Sequence, residues 1–77
     1  AGGCLDTKTK ELISTAIGVA IRCDSCIASH TKAASVNCAT REEVLEALGI
    51  AVLMGGGPSV VYASHALVAF DGFSNDT

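Results

Sequence analysis

The chain has 77 residues, of which 49% are apolar and 17% charged, with five basic side chains and a formal net charge of −3. So few cations, with Tyr62, Phe70 and Phe73 the only aromatics, exclude a nucleic-acid surface built from basic and stacking groups. A chain this short buries too little of its own surface for comfortable stability, so its apolar excess points to a subunit interface and an obligate homo-oligomer.

Four cysteines are an even number, but the turn-dense loops of a secreted disulfide scaffold are missing. No basic-then-apolar leader opens the chain, and a cytoplasmic location is the expectation for the sequence as it stands from Ala1. The uncharged run over residues 47–70 is long enough to span a bilayer. Gly55-Gly-Gly-Pro58 divides it into halves too short to cross, and no membrane span is expected.

Residues 1–5 read as a flexible lead-in in which Cys4 is an incidental thiol. Asp6 or Thr7 caps a first helix that the apolar periodicity carries to about Arg22, with Leu12, Ile13, Ala16, Ile17, Val19, Ala20 and Ile21 covering most of its circumference. What remains is a narrow stripe of Glu11, Ser14, Thr15 and Gly18. Its small residues let another backbone approach. Glu11 reads either as a first-turn acid complementing the helix dipole or as a partly desolvated carboxylate suited to carrying a proton. Straight helix separates it from Cys23 by about 18 Å, so only a later helix folding across it, or a neighbouring subunit, brings it to the thiols.

Cys23-Asp-Ser-Cys26-Ile-Ala-Ser-His30 compresses two thiols and an imidazole into one stretch. On a helix at roughly 100° per residue all three share a face. Asp24 and Ser25 start helices well and would leave the cysteines in a first turn, where the positive helix end favours a thiolate; the expected second helix runs from about residue 24 to 35 or 36. His30, one turn beyond Cys26, is placed to exchange a proton with it or with a bound substrate. Two thiols so spaced can cycle between dithiol and disulfide, hold a metal or simply pack. Zinc would take Cys23, Cys26 and His30 with His65 or Cys38 as fourth ligand. A haem attachment motif is excluded because Ile27 follows Cys26.

Asn37 and Cys38 fall in the next turn, and Cys38 reads as small-residue packing. Thr40-Arg-Glu-Glu43 spells a capping box that starts a third helix. Beyond Glu46 this helix is apolar in all directions and is expected to be buried on every side. The triple glycine breaks it, Pro58 opens a fourth helix, and Asp71-Gly72 is expected to end that helix before a polar tail. His65, beside Val61 and Val68, reads as a structural histidine. The glycines have neither the preceding strand nor the Lys-Ser/Thr partner of a phosphate loop. No period-two alternation occurs, so the expected fold is all-α, a single domain over residues 1–77 with four helices. A thioredoxin-type setting for the cysteines, which needs strands, is thereby missing.

Glu11, Cys23-x-x-Cys26-x-x-x-His30, Thr40-Arg-Glu-Glu-Val and Leu53-Met-Gly-Gly-Gly-Pro58 together resemble the AhpD-like branch of the carboxymuconolactone decarboxylase family, over about residues 5–70. The resemblance implies an all-helical subunit assembling into trimers or hexamers. It also implies a metal-free, thiol-based alkylhydroperoxidase or disulfide reductase, fed by a hydroperoxide and reduced by a dithiol protein or small thiol, with no cofactor. In those terms Cys26 is the peroxidatic cysteine, Cys23 the resolving one, and Glu11 and His30 shuttle protons. The lactone decarboxylases of the family generally lack the paired cysteines, which leaves other carbon-acid chemistry as the alternative within the family. A non-catalytic zinc-binding or oligomeric scaffold is the alternative outside it. Two departures stand out. Ser25 replaces the His that precedes the second Cys in the best-known peroxidase pattern, and the helices that precede Glu11 in longer members are missing.

Overall fold

The computed structural model describes residues 3–75, and within them the chain forms four helices and no strand: α1 (Thr7–Ala20), α2 (Asp24–Val36), α3 (Arg41–Gly55) and α4 (Pro58–Asn75). The first two residues of the expected lead-in and the last two of the expected tail lie outside this range.

Each of the first three helices starts on a side-chain cap. Asp6 accepts the Thr9 N–H at 2.8 Å, and the Thr9 side chain, followed by this backbone bond, holds its carboxyl below the usual aspartate range. Thr40 and Glu43 form the capping box read from the sequence, with Glu43 N–H donating to the Thr40 hydroxyl at 3.1 Å and Thr40 N–H to the Glu43 carboxylate at 2.9 Å. The cap of α2 is a correction. Cys23, not Asp24 or Ser25, is the N-cap, and its sulfur accepts the Cys26 N–H at 3.3 Å.

The cause lies in how α1 ends. It stops at Ala20 rather than near Arg22, because Arg22 takes a left-handed conformation (φ 61°). Its N–H bonds to Val19 C=O, and the Cys23 N–H bonds to Gly18 C=O. This is a Schellman closure, in which two otherwise orphaned carbonyls gain donors. It delivers Cys23 to the next helix as a cap. The turn after α2 repeats it, with Cys38 left-handed (φ 68°), Cys38 N–H on Ser35 C=O and Ala39 N–H on Ala34 C=O. Cys38 is exposed, so its expected packing role gives way to a backbone one.

Gly56 ends α3 at φ 77°, a conformation that costs glycine little, and Pro58 opens α4 as expected. Gly55 lets three helices close up: a Cβ there would collide with the Ser59 hydroxyl and come within 3.2 Å of the Ala20 Cα. The end of α4 is a second correction, since Asp71-Gly72 does not stop it. Phe70 is buried and Asp71 accepts from Arg41 Nε at 3.1 Å. These tertiary contacts outweigh the roughly 1 kcal/mol by which glycine disfavours a helix interior.

Val19, Ile27, Val44, Leu48, Ala51, Ala66 and Phe70 form one core to which all four helices contribute. α1 packs chiefly on α2 and α3, and α4 on α2 and α3. Burial of α3 on every side is not met within the chain. Val44, Leu48 and Ala51 are inside, but Ile50, Leu53 and Met54 are 61%, 79% and 77% exposed. Among the described residues no helix is long and apolar enough to cross a membrane.

Candidate functional site

The site grows from the stripe on α1. Its small residues form the seat on which α2 lies: Thr15 and Gly18 are buried, and Thr15 satisfies its hydroxyl on the Glu11 carbonyl at 2.8 Å. A Cβ on Gly18 would sit 3.2 Å from the Cys26 Cβ, so glycine sets how closely the thiol-bearing turn approaches α1. From there α2 runs back along α1. One turn of helix carries the chain from Cys26 to His30, and the imidazole reaches Glu11, which lies in the second turn of α1 and so is not the first-turn acid that one reading of the sequence expects.

His30 Nδ1 lies 2.6 Å from Glu11 Oε1, with side chains 35% and 22% exposed. α2 therefore folds back across Glu11 within one chain, and the group it brings to the carboxylate is His30. With Nδ1–H donating to the carboxylate, Nε2 is the ring nitrogen left to exchange a proton. Cys26 and His30 line an open cleft of about 200 Å³ with Ser14, Ile17, Gly18 and Ile21. Cys23 is joined to Cys26 by a disulfide, with Cα atoms 5.3 Å apart, and is not among the residues lining that cleft. The Ser25 hydroxyl lies 3.4 Å from the Cys23 sulfur.

The remaining candidates lie elsewhere. Cys4 and Cys38 are free and exposed. His65 is not packed between apolar neighbours. It is 48% exposed at its side chain, with Nδ1 3.1 Å from Asp24 Oδ1 and its ring edge-on to Tyr62. Asp24, in the first turn of α2, is thus tied to α4, a contact across 41 positions that local pattern could not reveal. Among the described residues no three His, Cys, Asp or Glu side chains converge in a way that would hold a metal ion. The contact of Ser25 with Cys23 also escaped the sequence reading, although the two residues are only two apart; a serine inside a Cys-x-x-Cys turn was the available signal.

A four-helix chain with a disulfide beside a carboxylate–imidazole pair is the class that this geometry defines. The chain belongs to the carboxymuconolactone decarboxylase family, whose profile matches residues 1–69. It is 48% identical over 69 residues to an uncharacterized protein of Cupriavidus necator, covering 90% of this chain and 61% of that one. It is 38% identical over 71 residues to a Paracoccus denitrificans protein described as uncharacterized protein 4 in the cox locus, covering 92% and 64%. The crystal structure of an apo carboxymuconolactone decarboxylase family protein of Legionella pneumophila superposes with a TM-score of 0.91 at 57% identity, covering 94% of this chain and 64% of that one. The chain thus spans somewhat less than two thirds of the length of each of these relatives.

Proposed function

We propose that the chain is an AhpD-like thiol oxidoreductase that reduces hydroperoxides, or disulfides, through a Cys23/Cys26 dithiol–disulfide cycle. The observation that carries this reading is the juxtaposition in one cleft of Cys26 and His30, with His30 held by Glu11. In the oxidative half-reaction the Cys26 thiolate attacks the distal oxygen of the hydroperoxide. The O–O bond breaks, the departing alkoxide takes a proton and leaves as alcohol, and Cys26 becomes a sulfenic acid. The Cys23 thiolate then attacks the Cys26 sulfur, the S–O bond breaks, and the hydroxide leaves as water after protonation. His30 Nε2 is the group suited to hand over these protons, with Glu11 orienting the ring and stabilising its charged form. A dithiol partner closes the cycle by exchange, itself becoming a disulfide. The redox reading is preferred to a zinc site because the two thiols are bonded to each other and, among the described residues, no cluster of three metal-ligating side chains includes them.

A homo-oligomer, trimer or hexamer, belongs to the same reading. Ile17, Ile21, Ile50, Leu53 and Met54 are all more than half exposed on the isolated chain, and a second copy is the economical cover. Light scattering coupled to size exclusion reads the stoichiometry, and a monomer at micromolar concentration removes this part.

The deciding experiment adds a slight excess of cumene hydroperoxide to reduced, chelator-treated protein and reads its intact mass. The expected result is a loss of two hydrogens per chain, mapped to Cys23 and Cys26. Cys23→Ser should stop at a sulfenic acid trappable with dimedone, and Cys26→Ser should not. Stable free thiols overturn the peroxidase reading, and a sulfenic acid on Cys23 in the Cys26→Ser chain reverses the two roles.

A further inference from the structure

The two sulfurs of the disulfide have unlike surroundings, and the difference bears on how the bond is opened. Cys26 lines the cleft beside His30, whereas Cys23 does not. Cys23, as the N-cap of α2, instead has two donors directed at its sulfur: the Cys26 N–H at 3.3 Å and the Ser25 hydroxyl at 3.4 Å. Both bonds strengthen when their acceptor carries a full negative charge, and the helix N-terminus adds its own positive end. In sequence Cys23 lies between Arg22 and Asp24, and the Asp24 carboxylate is paired with His65 of α4; the His30–Glu11 pair lies on the Cys26 side.

We infer that Cys23 is the leaving group when a thiol opens the disulfide, and that Ser25 is the residue that makes it so, with the incoming thiol bonded to Cys26. This rests on the redox reading above and specifies its reductive half. The incoming thiolate attacks the Cys26 sulfur from the cleft. A new S–S bond forms between the thiol and Cys26, the Cys23–Cys26 bond breaks, and its electron pair departs on Cys23. The second thiolate of a dithiol reductant then attacks its own sulfur in the mixed disulfide, the bond to Cys26 breaks, and Cys26 leaves as thiolate while the reductant ends as a disulfide. Exchange is faster when the departing thiolate is the better stabilised, which is what the cap and Ser25 supply at Cys23. The same stabilisation keeps Cys23 deprotonated for its attack on a Cys26 sulfenic acid, so one local device serves both halves. Ser25, standing where the peroxidase pattern carries His, then acts as a hydroxyl donor to a reacting sulfur.

The test uses the Cys4→Ser/Cys38→Ser chain oxidised with diamide, so that the disulfide is available whether or not hydroperoxide forms it. Excess glutathione is added, the reaction is quenched in acid within milliseconds, free thiols are alkylated, and fragmentation of the peptide locates the adduct. Glutathione is expected on Cys26, with Cys23 alkylated, by at least tenfold. Ser25→Ala should slow opening several-fold and flatten that partition, and Ser25→Thr, which keeps the hydroxyl, should restore it. In the Cys26→Ser background, the thiolate absorbance of Cys23 near 240 nm should appear at higher pH once Ser25→Ala is added. Adduct on Cys23, an even partition in the parent chain, or a Ser25→Ala chain with unchanged partition and thiolate titration overturns the inference. None of these outcomes touches hydroperoxide oxidation, so the wider reading stands or falls separately.

Discussion

Arg22 and Cys38 occupy the same place in two turns built alike. Each is left-handed, at φ 61° and 68°, and each turn returns two N–H groups to the last carbonyls of the helix before it. In the first turn the next residue is Cys23, which caps α2 through its sulfur and is bonded to Cys26. In the second the cysteine sits one place earlier, on the left-handed residue itself, and its thiol is exposed and free. A shift of one position in the same backbone device separates a cysteine embedded in a site from a cysteine that only turns the chain. Position relative to the helix cap, more than residue type, decides what each thiol can do.

The largest effect expected from this contrast is in turnover. Cys23→Ser and Cys26→Ser should each abolish hydroperoxide-dependent oxidation of a dithiol, a loss of a thousandfold or more, because the disulfide cannot close. Cys38→Ser, in the matching turn, should leave the rate unchanged within a factor of two. A steady-state assay of all three chains checks this. Equal losses for Cys38→Ser and Cys23→Ser would erase the distinction between the turns.

Next in size is the approach of α2 to α1. Gly18→Val places a branched side chain where even a Cβ lies 3.2 Å from the Cys26 Cβ, and the turn must move away. Overpacking of this kind costs about 1–3 kcal/mol. Urea unfolding should show that loss, and the His30–Glu11 contact should weaken with it, read as a lower oxidation rate by hydroperoxide. Before the second turn the matching position is the buried Ala34 rather than a glycine against a thiol-bearing turn, so a redox defect is expected from Gly18→Val and none from Cys38→Gly.

Much of this arrangement was readable before any coordinates, and the reasons are physical. The stripe of Glu11, Ser14, Thr15 and Gly18 repeats at the helical period, so its role as a seat for another helix followed from spacing alone. The capping box at Thr40 and Glu43 and the start at Pro58 are local signals whose energetics stay local. The resemblance names Glu11 and His30 as proton carriers, but their direct contact was not readable from spacing, because it depends on the angle at which α2 folds back. That angle is set by Arg22, and a left-handed arginine leaves no mark in a sequence, where glycine is the signal for such a turn. The same gap hid Cys23 behind Asp24 and Ser25, which are stronger caps by type but sit too late once Arg22 has turned the chain. The contact of His65 with Asp24 is likewise a product of packing between α2 and α4.

The left-handed positions themselves give a smaller, stabilising effect. A residue with a Cβ pays roughly 1–2 kcal/mol in that region, and glycine does not, although glycine has more freedom to lose on folding. Arg22→Gly and Cys38→Gly should therefore each stabilise the chain by about 0.5–1 kcal/mol, measured by urea unfolding. The two should be nearly equal in stability, because the turns are alike. Only Arg22→Gly should alter the redox properties of the pair, since the turn at Arg22 is the one that sets Cys23 as the cap of α2.

The smallest effect concerns the anchor beneath the second turn. Glu43 accepts from the Thr40 N–H and then from Lys8 Nζ at 2.9 Å, and these contacts hold its carboxyl below the usual value of 4.5. The same pair raises the Lys8 ammonium above its ordinary value. For a carboxylate whose folded value is depressed, the stabilisation is fully present above the unfolded value and is lost as pH falls through the folded one. Glu43→Gln should accordingly be slightly less stable than the parent near neutrality, with the gap closing below about pH 4.5. Thermal unfolding of both chains across that window reads the sign. Because the side chains of Lys8 and Glu43 are about one third exposed, at 32% and 37%, salt should shrink the gap as well. A gap that persisted in acid would shift the cause from charge to the shape of the capping box, and the turn beneath Cys38 would then rest on geometry alone.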